Sequence, residues 1–271
     1  MDLYRDNDNK NITCLISYFS GDYKNIVFYL KDKIYSYNRI NNNNYELNII
    51  IYNKNSDKEI VFDINIDNKF LKNNNNIINV PNIGVDAYDK LHYIINNYES
   101  LPNIILFSTD SMFYDPKKQK KIKFILDNLH LLYQNSGFLT GHIYNIPPDE
   151  CKFSLDYYIH NNIKRKLYKS SIRPFDKWFN YFILGKDSNI NIKCDISNIY
   201  ICKKSTFAVT RDLILSNSKN FYLKLLGEVC KNSKMGHDSE VPHYLERAWV
   251  EIFCKNNVNK MFHDFNTYMK L

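Results

Sequence analysis

The stretch "NVPNIGVDAYDKLHYIINNYESLPNIILFSTDSMF", Asn79 to Phe113, holds a complete passage from loop to helix to strand. Val80-Pro81-Asn82-Ile83-Gly84 reads as a loop. Tyr88, Leu91, Ile94, Ile95 and Tyr98 then recur at helical spacing, which predicts a helix with those residues on its inner face. Pro102 stops it, since proline lacks an N–H and disfavours helix in the residue before it. Asn103 to Ser108, "NIILFS", is a short apolar run with the length of a strand buried on both faces. It runs straight into Ser108-Thr109-Asp110-Ser111. Hydroxyls and a carboxylate at the tip of a hydrophobic strand suit a parallel sheet, whose ligands sit outside the carboxyl ends of its strands.

The pattern repeats on either side. Asn11 to Phe19, "NITCLISYF", reads as a buried strand, and Ser20-Gly21-Asp22 as a turn. Ile26, Leu30, Ile34 and Tyr37 mark a helix over Tyr23–Tyr37, and Glu46 to Lys54, "ELNIIIYNK", a second strand. "EIVFDINI", within 57–76, alternates like an edge strand or hairpin. Asp115-Pro116 starts a helix through Ile122, Ile125, Leu129 and Leu132, with Gly137 at its carboxyl cap. The stretch from Gly137 to Tyr168 shows no clear period. Pro174 opens a short helix carrying Trp178 and Phe182, and Asp195 to Lys203 reads as a strand. "TFAVTRDLILS" passes from strand to helix with Thr210 as N-cap. Two further helices follow over Ser218–Val229 and "SEVPHYLERAWVEIFCKN". Strands alternating with helices predict an α/β fold, a mostly parallel central sheet flanked by helices. We expect a polar tail over 1–10 and one domain over 11–271.

Composition narrows the function. The 271 residues carry 36 Lys and Arg against 29 Asp and Glu, a formal charge of +7. That suits an anionic partner, yet no basic run of the kind that binds nucleic acid occurs, and Lys117-Lys118-Gln119-Lys120-Lys121 reads as a solvated helix start. The six cysteines form no C-x-x-C pair, which argues against a structural zinc site and for reduced, buried thiols. The polar start "MDLYRDNDNK" is not a signal peptide, and no apolar run is long enough for a transmembrane segment. These features predict a soluble protein, cytoplasmic or held in a particle by a partner.

The chemistry-bearing residues gather after the apolar strands: Tyr18 to Asp22, Tyr52-Asn53-Lys54 and Ser108 to Ser111. Asp110, flanked by hydroxyls, is a candidate ligand for a hard divalent cation, with substrate or water completing the shell. Asn53 and Lys54 are candidates to contact a nucleotide, and Gly84 marks a backbone requirement near a ligand or at the start of a helix. No G-x-G-x-x-G, P-loop, G-x-S-x-G or H-E-x-x-H exists. His237, Asp238, Glu240, His243, Glu246 and Arg247 form the densest polar group. On one helix, Glu246 suits a general base, His243 a metal ligand or proton donor, and Arg247 a phosphate clamp. Trp249 reads as core rather than as a sugar-stacking platform.

Five phrases in order carry a resemblance: "CLISYFSGDYKNIVFYL", "IIIYNK", "VPNIGVDAYDKLHYIINNYESLPNIILFS", "STFAVTRDLILSNSKNFYLKLL" and "HYLERAWVEIF". Together, over most of 11–254, they resemble a family of glycosyltransferase-like domains of largely unknown function found in fungi, plants, bacteria and large DNA viruses. That family has an R-Y-N-E-type end to its first strand, Y-N-K after its second, L-P-N-x-G-R-E before a helix, F-L-Q-G-H-P-F at a later strand end, then F-A-V-S-R and E-R-x-W-x-x-I-F. This chain departs from it at Ser20-Gly21-Asp22, at Gly84-Val85-Asp86 and at Ser108 to Phe113, but keeps Phe207 to Arg211, Glu246, Arg247 and Trp249. The resemblance implies a GT-A-like fold that binds a nucleotide-diphosphate sugar and transfers the sugar to the hydroxyl of a glycan or protein acceptor. It further implies Mn²⁺ or Mg²⁺ on Asp110, a nucleotide among Tyr18, Asp22, Asn53 and Lys54, Glu246 as base, and Arg211 or Arg247 against phosphate charge. Its alternatives are a non-catalytic member that binds a glycan or protein, and another nucleotide-binding transferase. The Asn, Ile and Lys bias fits an AT-rich genome, such as that of a large DNA virus that glycosylates its own particle.

Overall fold

The structure, a computed structural model, describes residues 11–41, 45–55, 77–134, 137–141, 144–160, 163–186, 200–202, 206–231, 239–254 and 263–264. The expected tail over 1–10, the alternating stretch within 57–76, and most of the strand read over Asp195–Lys203 lie outside them. In chain order the elements are β1 (Asn11–Tyr18), α1 (Tyr23–Asn41), β2 (Glu46–Asn53), β3 (Ile77–Asn79), α2 (Val85–Asn96), β4 (Ile104–Thr109), α3 (Pro116–Asp127) and α4 (His130–Gln134). Then follow β5 (Phe138–Thr140), β6 (Tyr144–Asn145), α5 (Pro148–Cys151), β7 (Tyr157–His160), β8 (Ile163–Lys166), α6 (Phe175–Phe182) and β9 (Tyr200–Ile201). The last are β10 (Phe207–Thr210), α7 (Arg211–Leu215), α8 (Lys219–Lys231), α9 (Val241–Cys254) and β11 (His263–Asp264).

The main sheet has the order β11-β5-β10-β4-β1-β2-β3. Strands β3, β2, β1 and β4 are mutually parallel; β10 runs against both β4 and β5, and β11 is parallel to β5. The expected α/β class and mostly parallel sheet therefore hold. Strand order reverses at β1, with β2 on one side and β4 on the other, and in open α/β sheets such a reversal opens a crevice at the carboxyl ends.

The strands form where they do because both sheet faces are covered. Along β1, Ile12, Cys14, Ile16 and Tyr18 pack on one layer with Ile26, Leu30 and Ile34 of α1 and Ile122 and Ile125 of α3. Leu15 points the other way, into a layer with Leu91 and Ile94 of α2, Leu225 of α8, and Leu245 and Trp249 of α9. Strand β4 splits the same way, Ile104 and Leu106 to one layer and Ile105 and Phe107 to the other. This two-residue alternation is a strand's pleat read between two apolar layers. Truncating Ile105 to Ala would cost about 2–5 kcal/mol through lost transfer energy and a cavity. Trp249 is fully buried, as expected of a core residue.

The helix expected from Asp115 to Leu132 is instead two, broken around Asn128, whose side chain donates to the Phe124 carbonyl at 2.8 Å. Asparagine that bonds its own backbone competes with the helix ladder, which accounts for the break. Gly137 sits not in that helix's cap but just before β5, with φ 69 and its carbonyl accepting from the Thr210 N–H.

Candidate functional site

Three helices and one strand tip meet around a cleft of about 250 Å³. The carboxyl end of β4 supplies Thr109, Ser111 and Met112, and the first turn of α3 supplies Lys118. Val85 and Asp86 come from the start of α2; Pro242, His243 and Glu246 come from α9. Thr109 Oγ1 lies 3.1 Å from Ser111 Oγ, and Lys118 Nζ donates to Ser111 Oγ at 3.3 Å. One cation and two hydroxyls thus form a connected row at the rim. Asp86 and Glu246 bring two carboxylates to the same cleft, and His243 an imidazole.

The α2 wall is built with unusual chemistry. Asp86 pairs with Lys90 one turn on, and Lys90 is 1% exposed, with its ammonium 5.9 Å from the Phe207 ring centroid and 6.0 Å from that of Trp249. Asp89, completely buried, has Lys54 Nζ 3.3 Å from its Oδ1. Neither Asp89 oxygen makes a well-formed hydrogen bond among the described residues. Burial pushes the Asp89 carboxyl up to about 7, with Lys54 and Ser17 pulling it back and Asp86 adding to the rise. Ionised groups are rarely placed in an apolar interior, and two such pairs on one helix mark a site candidate.

Several expected site residues have structural work elsewhere. Asp110 Oδ2 accepts the backbone N–H groups of Phe19 at 2.8 Å and Ser20 at 2.7 Å, so this carboxylate ties the loop after β1 to the end of β4. It lies where strand order reverses and does not line the cleft. Among the described residues no three His, Cys, Asp or Glu side chains gather closely enough to hold a metal ion. The expected pair of Asp110 and His243 is thus divided, His243 in the cleft and Asp110 outside it, and the donors present do not fit a preformed metal site. Arg247 is also committed: Nε donates to Glu150 at 3.0 Å, Nη1 to the His243 carbonyl at 2.9 Å, and its guanidinium lies 3.6 Å from the Phe153 ring centroid. It is therefore no exposed phosphate clamp.

The remaining expectations divide. Tyr18 donates to the Gly21 carbonyl at 2.7 Å, and Asp22 accepts from the Lys24 N–H at 2.9 Å and the Asn25 side chain at 3.0 Å, capping the start of α1. Asn53 donates to Asn79 Oδ1 at 2.9 Å, joining β2 to β3. Lys54 is buried rather than presented to a ligand. Arg211 follows the carboxyl end of β10, where its N–H bonds the Asn103 carbonyl at 3.0 Å. Since β10 runs antiparallel to β4, Arg211 stands at the start of β4, the opposite end of that strand from the cleft. Gly84 immediately precedes the cleft wall, and Glu246 and His243 line the cleft.

The family described as "Protein of unknown function (DUF3431)" matches residues 40–265. The chain belongs to that family. The DUF3431 match takes in every residue lining the cleft and leaves out β1 and nearly all of α1. No curated protein matches the chain.

Two charged cleft residues, Asp86 and Lys118, are not among the site residues read from the sequence. Asp86 stood only as a replacement within Gly84-Val85-Asp86, and Lys118 as part of a solvated basic run. The available signal was position: Asp86 sits at the start of a helix that follows a positive-φ glycine, and Lys118 one turn after the polar tip of β4.

Proposed function

We propose that the cleft takes the sugar-phosphate end of a nucleotide-diphosphate sugar and that the protein transfers the sugar to an acceptor hydroxyl. The observation that carries this is the meeting of Lys118, Ser111 and Thr109 with Asp86 and Glu246 in one cleft at the carboxyl end of a parallel strand. Lys118 and the hydroxyls answer phosphate oxygens; the carboxylates answer sugar hydroxyls. The acceptor oxygen forms a bond to the anomeric carbon as the bond from that carbon to the diphosphate breaks. The acceptor's proton passes to Glu246, and the nucleoside diphosphate leaves with the bonding pair. A volume of about 250 Å³ suits the sugar and its nearest phosphate, with the nucleoside lying outside. The sheet order, parallel through β3-β2-β1-β4, supports a GT-A-like arrangement.

A thermal-shift series with UDP- and GDP-sugars, each with and without Mn²⁺ or Mg²⁺, tests this. We expect at least one nucleotide sugar to raise Tm, and Glu246→Gln or Lys118→Ala to weaken the response. A response to free nucleoside triphosphates with no sugar preference would point to a different nucleotide-dependent transferase. A second reading, a glycan-binding member without transfer, is favoured by the commitment of Asp110 to backbone N–H groups and of Arg247 to Glu150. Under that reading free oligosaccharides raise Tm and nucleotide sugars do not.

A further inference from the structure

The wall of the cleft at the start of α2 is in a conformation that its own residues do not favour. Gly84 has φ 61 and Val85 φ 49. For glycine the left-handed region is ordinary; for a β-branched valine it is a true outlier, a strain that persists only where the surroundings hold it. Space fixes the residue at 84: a Cβ on Gly84 would stand 2.3 Å from Val229 Cγ1 of α8, too close for a side chain without a shift of that helix's valine.

The hold on this turn comes from Lys54. Its Nζ donates to the Ile83 carbonyl at 2.7 Å and also to the Val85 carbonyl, the acceptors on either side of Gly84. With Asp89 at 3.3 Å, the ammonium bridges the end of β2, the approach to α2 and the helix's second turn. The ring of Tyr88 covers it at 5.7 Å from centroid to Nζ, and His92 stacks on Tyr88 at 5.4 Å while meeting the Tyr52 hydroxyl at 3.0 Å. A buried cation binding two carbonyls of one tight turn fixes that turn's geometry. The turn leads directly into Val85 and Asp86, both of which line the cleft.

We propose that Lys54 is the positioning residue of the cleft. Its ammonium holds the left-handed turn at Gly84-Val85 and thereby sets Asp86 toward the ligand. Asp89 offsets the charge that this task buries. The inference deepens the sugar-transfer reading and rests on it only for the identity of the ligand. The turn's dependence on Lys54 stands without it.

Segment-resolved hydrogen exchange on Lys54→Met and on the double variant Lys54→Met/Asp89→Asn tests the proposal. Methionine keeps the stem and removes the ammonium. The single variant leaves Asp89 without its cation and should melt well below wild type. The double variant removes both charges and should regain most of that Tm. In the double variant we expect amides of 83–88 to exchange at least about tenfold faster than in wild type while β1 and β4 keep their protection. Return of protection at 83–88 along with Tm would overturn the proposal, because the pair would then serve charge compensation alone. Exchange raised equally over β1 and β4 would overturn it too, as would unchanged exchange at 83–88. The nucleotide-sugar series on wild type is read separately. A turn that opens without Lys54 in a protein that answers no nucleotide sugar keeps this inference and rejects the transfer reading.

Discussion

Glu240 and Asp89 are both fully buried carboxylates, and the protein treats them in opposite ways. Glu240 is saturated. It accepts the Leu155 N–H at 2.7 Å, the Ser170 N–H at 2.9 Å and the Tyr244 hydroxyl at 2.8 Å, and Arg173 Nε reaches it at 2.9 Å. All but Tyr244 come from 67 to 85 residues away, so Glu240 binds the segment that flanks the β7–β8 hairpin to the start of α9. Asp89 has the Lys54 ammonium and the Ser17 hydroxyl nearby, yet neither of its oxygens meets full hydrogen-bond geometry among the described residues. A saturated buried charge is structural cement. An under-satisfied one is a local sacrifice of stability, and here it lies directly behind the cleft wall. The difference separates the part of the molecule built to stay closed from the part built to hold a particular shape for a ligand.

The sharpest way to break this contrast is Glu240→Ala. Removing the carboxylate leaves the buried Ser170 N–H, the part-buried Leu155 N–H and the Tyr244 hydroxyl without their acceptor, while Arg173 keeps Asp156 at 2.9 Å, so chemical denaturation should show a loss of about 2–4 kcal/mol. A loss below about 1 kcal/mol would mean that Glu240 is no cement. Gly84→Ala should cost about 2–3 kcal/mol, from left-handed backbone strain plus the clash with Val229.

Asp89→Asn sharpens the comparison through pH. The groups around Asp89 are Lys54, Ser17, Asp86 and Tyr52, with His92 one turn further along α2; burial lowers the His92 pKa, leaving it neutral near pH 7. The Asp89 carboxyl is raised in the folded protein to about 7, so the folded state binds a proton that the unfolded state releases. Stability from this group is therefore lost as pH rises through 7. Between pH 6 and pH 8 wild type should lose about 1 kcal/mol that the asparagine variant does not. The variant's deficit narrows accordingly. A deficit constant with pH would show that Asp89 does not titrate in this window. Smallest in stability is Glu246→Gln, which keeps the side chain's shape and one accepting oxygen and is expected within about 1 kcal/mol of wild type, with a weakened ligand response.

Much of this organisation was legible in the residues. Strands β1, β2 and β4 are apolar runs of strand length with polar tips, and a two-sided core leaves no other reading of them. Helices α1, α2, α8 and α9 carry apolar residues at helical spacing. The short pieces from β5 to β8 were not legible, because strands of two to four residues have no period to detect. The antiparallel insertion of β10 between β4 and β5 joins residues far apart in sequence, and no local pattern encodes it. At the site, Glu246 and His243 were readable from their shared helix face, and Ser111 from the tip of β4. Asp110 misled because a lone carboxylate at a strand end serves equally as a ligand or as an acceptor for its neighbour's N–H groups. Lys54 misled in the opposite direction. A lysine after a strand reads as exposed, and only the tertiary positions of Ile83, Val85 and Asp89 give it a buried partner set.

The most direct measurement is a crystal structure of the protein soaked with whichever nucleotide sugar gives the largest thermal shift. Sugar and phosphate density should be bounded by Asp86, Ser111, Lys118 and Glu246, with the turn at Gly84-Val85 unmoved. Ligand density at the β1–β2 tips near Phe19 and Asn55, with this cleft empty at saturating ligand, would contradict the proposed site.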